Sequence, residues 1–201
     1  MRNATAIRKT KETAIRVSLN LDGGNPGRIR TGIPFLDHML TLLATHGVFG
    51  LTVDAKGDLE IDAHHTNEDV GLVLGQAFDR ALGDRKGIAR YGWAYVPMEE
   101  ALARVVLDFS GRPKLVVRDA RPPKLIKYPA GSRSAYQWGD AEHFLESLTR
   151  TANITLHIDI LAGSDFHHTC EAVFKALGRA LDQATRRDPR VKGVPSSKGR
   201  L

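Results

Sequence analysis

The sequence predicts an α+β fold made by internal duplication, each copy a half-domain with a mostly antiparallel four-stranded sheet backed by helices. Three observations predict it. The string His-His-Thr-Xaa-Glu occurs twice, as His64-His65-Thr66-Asn67-Glu68 and as His167-His168-Thr169-Cys170-Glu171. The match continues at a constant offset of 103, with ten of eighteen positions identical when residues 64–81 are set against 167–184. Both halves also show the same order of hydrophobic patterns: strands, helix, strand, helix. A repeat this long excludes a solenoid and, in a chain of 201 residues, fits two fused units.

In the first half, residues 5–8 and 14–21 alternate as strands do, and Asp22-Gly23-Gly24-Asn25-Pro26-Gly27 is turn chemistry that stops the second. Pro34 opens a helix to about residue 46, because the first turn does not need its missing N–H. Phe35, Leu36, Met39, Leu40 and Leu43 form its apolar stripe, and His38 lies on it. Residues 51–55 and 59–61 read as strands, and Thr66 followed by Asp69 is a capping signal for a helix to about residue 82. Gly83-Asp84-Arg85-Lys86-Gly87 reads as a linker, so the copies divide as 1–87 and 88–188, with 189–201 as a tail. In the second half, 93–97, 103–109 and 114–118 read as strands and 121–139 as a loop rich in Pro, Lys and Gly. His143 opens the next helix, 154–160 is a strand, and Thr169 caps a last helix to about residue 185.

Composition narrows the class. With 42% hydrophobic and 26% charged residues the chain can build an ordinary globular core. Its single cysteine, Cys170, excludes an internal disulfide framework and a cysteine-based zinc site and fits a reducing compartment. No apolar run is long enough to span a membrane and residues 1–13 lack the apolar core of a signal peptide, so a cytoplasmic protein without membrane partners is expected. The net charge of +6 is spread along the chain and is not interleaved with aromatics, which argues against nucleic acid and for solvated surface or a small anionic ligand. Only the tail, with Arg186, Arg187, Arg190, Lys192, Lys198 and Arg200, is locally dense.

The repeated histidines point to metal. A further pair appears once a two-residue gap is allowed: His38 precedes the first motif by 26 residues and His143 the second by 24. Imidazole with carboxylate suits borderline divalent ions such as Mn, Fe, Co and Zn, whereas all-oxygen sets suit Ca and Mg. Glu68 follows the two histidines by four and three residues, so at a helix start it returns to the face of one of them. Adjacent histidines in extended chain diverge. Each His-His pair is therefore expected to serve two different metals, each collecting ligands from more than one motif or subunit. Six histidines (His38, His64, His65, His143, His167, His168) and two glutamates (Glu68, Glu171) divide evenly into two sites of four. A packing role gives no reason for the duplicated string. His157, without a counterpart, reads as structural, and His46 as a cation at a helix C-terminus.

These residues resemble the imidazoleglycerol-phosphate dehydratase family over almost the whole chain. The resemblance is carried by Thr10-Lys11-Glu12-Thr13, Phe35-Leu36-Asp37-His38-Met39-Leu40, Asp62-Ala63-His64-His65-Thr66-Asn67-Glu68-Asp69, Ser110-Gly111-Arg112-Pro113, His167-His168 with Glu171 and Phe174-Lys175-Ala176, and Gly193-Val194-Pro195-Ser196-Ser197-Lys198-Gly199. It implies dehydration of imidazole glycerol phosphate to imidazole acetol phosphate in histidine biosynthesis, two Mn2+ ions per active site, and a homo-oligomeric shell of 24 subunits with active sites at interfaces. By position, the eight residues above would hold manganese, with His65, Glu68, His168 and Glu171 also counted as catalytic. Glu12 would be the acid–base carboxylate. Arg90, Arg112, Lys175, Ser197 and Lys198 would hold substrate, chiefly its phosphate, which makes 189–201 a phosphate-binding tail. Ala63 and Asn67 replace the more usual Thr and apolar residue, Glu99 stands for Asp, and Ser197 for Thr.

The expected chemistry explains the two kinds of group. The hydrogen removed is not beside a carbonyl and hydroxide leaves poorly, so the expected route is loss of the ring proton from metal-bound imidazole. The imidazolate then expels the hydroxyl to leave a diazafulvene, Glu12 moves protons at the neighbouring carbon, and the enol becomes the ketone. A dinuclear metal-dependent phosphate-ester hydrolase is the alternative enzyme, since paired metals clamp phosphoryl groups. A metal-storage or nucleic-acid-binding shell is the alternative outside enzymes. No Walker or dinucleotide fingerprint occurs.

Overall fold

A computed structural model of the chain describes residues 1–119 and 136–201. In order the elements are β1 (Asn3–Lys9), β2 (Ala14–Asn20), β3 (Ile29–Arg30), α1 (Pro34–Gly47), β4 (Gly50–Lys56), α2 (His64–Leu82), β5 (Tyr91–Met98), β6 (Ala101–Asp108), β7 (Lys114–Asp119), α3 (Trp138–Ala152), β8 (Thr155–Ala162) and α4 (Phe166–Thr185). They form two four-stranded sheets of identical topology, β1-β2-β4-β3 and β5-β6-β8-β7, in which only the last pair of each is parallel. The duplicated α+β architecture is thus the observed one.

Period-two alternation builds both sheets. In β2, Ile15, Val17 and Leu19 face inward, and in β6 Ala101, Ala103, Val105 and Leu107 do the same. The helices then cross between halves. α2 lies on β1 and β2 and α4 on β5 and β6, but α1 packs along α4 and α3 along α2. A glycine at the same repeat position permits each close approach: a Cβ on Gly75 would lie 2.5 Å from the Leu148 carbonyl oxygen, and one on Gly178 2.4 Å from that of Leu43. The result is one continuous core in which Phe49, Phe78, Phe109, Phe144 and Phe174 are fully buried. Each such side chain contributes about 1.5–3 kcal/mol.

Several local expectations are corrected. Residues 59–61 are not a strand: they close a turn in which the Ile61 N–H donates to the Asp58 carbonyl (2.9 Å), and Ile61 is exposed. The short parallel strand β3 was not anticipated. The helix caps lie earlier than the threonines. α2 begins at His64, whose N–H donates to Asp62 (2.8 Å), and Asp165 caps α4 by accepting from the His168 N–H (2.9 Å). Thr66 and Thr169 sit inside their first turns, where Oγ1 of Thr169 donates to the Asp165 carbonyl. His143 does not open α3, which starts at Trp138 behind a Gln137/Asp140 capping box. The junction between halves is anchored: Arg85 is buried, pairs with Asp79 (2.6 Å) and donates to the carbonyls of Phe109 and Ala152. Most of the loop read at 121–139 lies outside the described residues.

Candidate metal centre

The helix exchange brings the repeated histidines together in two mixed sets. His38 on α1 joins His167 and Glu171 on α4, and His143 on α3 joins His64 and Glu68 on α2; within each set the donor atoms lie within 4.8 Å of one another. Each set therefore takes its first histidine from one half and its His-x-x-x-Glu pair from the other. The spacing left open which histidine each glutamate returns to; it is the first of its string, four residues back, and not the second.

The set at the start of α4 is closed and charged. The Nε2 atoms of His38 and His167 lie 3.0 and 2.9 Å from Oε1 of Glu171, and Nζ of Lys175 lies 2.6 Å from Oε2. Burial pushes the Glu171 carboxyl up, but hydrogen bonds from Lys175, His38 and His167 outweigh it and hold the pKa down to about 2. At the start of α2 the arrangement is looser. The His64 and His143 rings stack with centroids 4.4 Å apart, and Glu68, at 30% exposure, pairs with Arg150 (2.9 Å). Behind it, Asn67 is fully buried, donates to the Asp140 carbonyl (2.8 Å) and accepts from the Tyr136 hydroxyl (2.9 Å), which fastens the start of α3 to α2.

His65 and His168 belong to neither set. His65 Nδ1 is 2.9 Å from Asp58 and 3.9 Å from Glu12, while His168 Nδ1 is 2.8 Å from Glu100 and 3.9 Å from Glu99. The hydrogen bonds to Asp58 and Glu100 raise the two imidazoles above the ordinary histidine value, with Glu12 and Glu99 adding to the effect. Glu12 thus stands beside one motif histidine, exposed at the β1–β2 turn. Asp58 and Glu100 were not singled out from the sequence; the acidic pair Glu99-Glu100 between two strands was the available signal.

The candidate substrate groups are split. Arg90 is bidentate to Asp108 (2.6 and 2.9 Å) and donates to the Pro195 carbonyl (2.7 Å), while the Gly87 N–H donates to Gly193, so the tail runs along residues 87–90. Ser197 and Lys198 are exposed on that tail, and the terminal Leu201 lies against Gly111, next to the exposed Arg112. Lys175 is not with them. Arg90 meets α4 at Ala184, nine residues from Lys175 and about 13 Å along the helix. One chain does not gather the five into a single anion pocket. His46 lies near Lys175 and Arg179; burial and these cations depress its pKa.

The donors fit a divalent ion. Two imidazoles and a carboxylate are the mixture borderline metals select. The ~3 Å spacing around Glu171 is also that of neighbours in a coordination sphere of ~2.1 Å radius. Fold and site together define a duplicated α+β protein with paired imidazole–carboxylate clusters, each drawn from both halves. The chain belongs to the imidazoleglycerol-phosphate dehydratase family, whose model matches residues 31–181. It is 51% identical to the imidazoleglycerol-phosphate dehydratase of Bacillus subtilis (strain 168) over 201 residues, covering all of both chains. With that of Geobacillus thermodenitrificans (strain NG80-2) identity is 52% over 200 residues, all of this chain and 99% of the other. The Staphylococcus aureus N315 crystal structure superposes with a TM-score of 0.77 at 37% identity, over 92% of this chain and 100% of that one. The Pyrococcus furiosus enzyme, solved in complex with (S)-C348, gives 0.78 at 36% identity, over 97% and 99%.

Proposed function

We propose that the chain is a manganese-dependent hydro-lyase that removes water from imidazole glycerol phosphate to give imidazole acetol phosphate in histidine biosynthesis. The observation that carries the reading is the pair of His-His-Glu sets, each built from both repeats, within a full-length family match. His38, His167 and Glu171 would hold one Mn2+, and His64, Glu68 and His143 the other. His65 and His168, which reach neither set of their own chain, would supply the fourth ligands to neighbouring copies. The split of Lys175 from Arg90, Arg112, Ser197 and Lys198 supports the same conclusion, that sites are completed between subunits, and a shell of 24 copies satisfies it. The functional division is 1–87 and 88–188 as metal-binding halves and 189–201 as the phosphate-binding tail. Among the described residues no helix is long and apolar enough to cross a membrane, and a cytoplasmic location fits the biosynthetic role.

Bound manganese would supply Lewis acidity at the imidazole ring. The chain's own groups do the rest. Glu12, exposed and 3.9 Å from His65 Nδ1, would take and return protons at the carbon beside the departing hydroxyl. Arg112, Ser197 and Lys198 present cationic and N–H donors to a phosphate, and Arg90 braces the tail that carries two of them. Incubating the Mn-loaded protein with imidazole glycerol phosphate tests the assignment. Ketone product is expected; free phosphate would mean a phosphate-ester hydrolase instead, and no product would mean a binding or storage protein.

A further inference from the structure

We infer that Asp58 and Glu100 are positioning residues that hold the His65 and His168 rings with Nδ1–H turned inward and the Nε2 lone pair turned outward as a metal donor. The inference rests on the proposed reading of these histidines as ligands. Asp58 meets His65 Nδ1 at 2.9 Å and Glu100 meets His168 Nδ1 at 2.8 Å, and among the described residues neither Nε2 has a hydrogen-bond partner. An imidazole has one N–H in its neutral form, so a carboxylate that accepts at Nδ1 leaves Nε2 as the basic nitrogen. Such carboxylate–imidazole pairs orient metal-binding histidines generally.

The two carboxylates are not copies of one another. An inherited pair would recur at the offset of 103, but that offset takes Asp58 to Leu161. Asp58 comes from the turn before α2, whereas Glu100 comes from the β5–β6 hairpin, where the matching position before β2 is Thr13. The halves therefore reach the same contact on the same nitrogen from different elements. Packing inherited by duplication does not do this; a shared requirement at the second histidine does.

Their other bonds separate orientation from mere support. Glu100 Oε1 accepts from the backbone N–H groups of Ser164 (3.0 Å) and Asp165 (2.8 Å), which ties the hairpin to the cap of α4 and leaves Oε2 for His168. Both oxygens are thus engaged by N–H donors, which fixes the carboxylate as a brace for the ring. Asp58 has less to hold it: its Oδ1 is buried without a partner among the described residues, and Oδ2 accepts from His65 Nδ1. Its side chain, only 11% exposed, has no visible use except the imidazole.

The test uses the full chain stripped of metal, with Asp58→Asn, Glu100→Gln and, as control, Asp54→Asn in an exposed pair with Arg28. Mn2+ titration followed by electron paramagnetic resonance of the free ion reads affinity. Nitrogen-15 spectra of labelled histidines at about pH 9, where imidazoles are neutral, read the tautomer. The parent is expected to show Nδ1–H at His65 and His168. Asp58→Asn and Glu100→Gln should each lose that form at their own ring and weaken Mn2+ binding about 10- to 100-fold, with Asp54→Asn unchanged. Nε2–H in the parent at either ring would overturn the inference even if a variant failed to fold. So would variants that bind like the parent, or that keep Nδ1–H while binding weakly. A parent that takes up no Mn2+ at all would instead overturn the reading of the site on which the inference rests.

Discussion

The same five-residue string builds a closed cluster on α4 and an open one on α2. Glu171 is buried and accepts from two imidazoles and Lys175, whereas Glu68 is part-exposed and leans on Arg150 beside two stacked rings. The donors repeat, but the cations do not: the position of Lys175 is Leu72 in the first half, and the position of Arg150 on α3 is Thr45 on α1. Duplication kept the imidazole and carboxylate groups and let their electrostatic surroundings drift apart. What distinguishes the two centres is therefore written in residues outside the motif.

The largest expected effect concerns the asymmetry between Glu12 and Glu99, which sit at the same 3.9 Å from equivalent histidines. Glu12→Gln should lower turnover by about two to four orders of magnitude with metal content unchanged. Equal loss in Glu99→Gln, measured under the same saturating substrate, would show that both hairpins act and that the halves are not divided in this role. Next come the cluster carboxylates. In metal-stripped protein Glu171→Gln leaves Lys175 without its partner and should cost about 3 kcal/mol, while Glu68→Gln breaks an exposed pair and should cost under about 1 kcal/mol. Urea denaturation in a chelator measures both, and equal costs would erase the distinction between closed and open centres.

Asn67→Leu removes the buried amide behind the first cluster and strands the Tyr136 hydroxyl that it accepts from. A loss of about 1–3 kcal/mol in thermal stability is expected, and none would mean that α3 is held to α2 by packing alone. The smallest effect lies on the second sheet, where Asp159 accepts from Arg118 (2.5 Å) and Arg104 (2.8 Å), whereas Asp54, at the same register position opposite Arg16 and Arg30 in the first sheet, is exposed and pairs with Arg28 at 3.5 Å. Arg118, then Arg104, hold its carboxyl below the usual range against burial. Its contribution is accordingly complete above an unfolded carboxylate value of about 3.9 and fades as pH falls through the lower folded value. Asp159→Asn should flatten the acid limb of stability below about pH 4, and an unchanged limb would remove this pair from the account.

The duplication, both sheets and most element positions were readable because they rest on local periodicity and on identities at a fixed offset. That each His-His-Glu cluster draws on both halves had its trace in the divergence of adjacent histidines. Which helix closes which cluster did not follow, since it depends on Gly75 and Gly178 admitting a neighbour 70 or more residues away in sequence. Those two glycines, at matching helical positions, were the trace it left. Residues 59–61 alternate like a strand, yet Asp58 draws them into a turn that serves His65. Thr66 and Thr169 carry cap chemistry, but the side chains that accept from first-turn N–H groups, Asp62 and Asp165, stand four residues earlier, outside the helical pattern.

The crossing of helices between halves also sets when the molecule can fold. α1 leaves the ribosome early, but the groove it fills is made by α4, whose Gly178 follows Leu43 by roughly 135 residues, and α2 must wait for α3. Contacts of such sequence separation close slowly, because the loop entropy is lost before the contact forms. A nascent first half can lay α2 on its own sheet but carries two apolar helix faces with nothing to cover them, so burial is completed only when nearly the whole chain has been made.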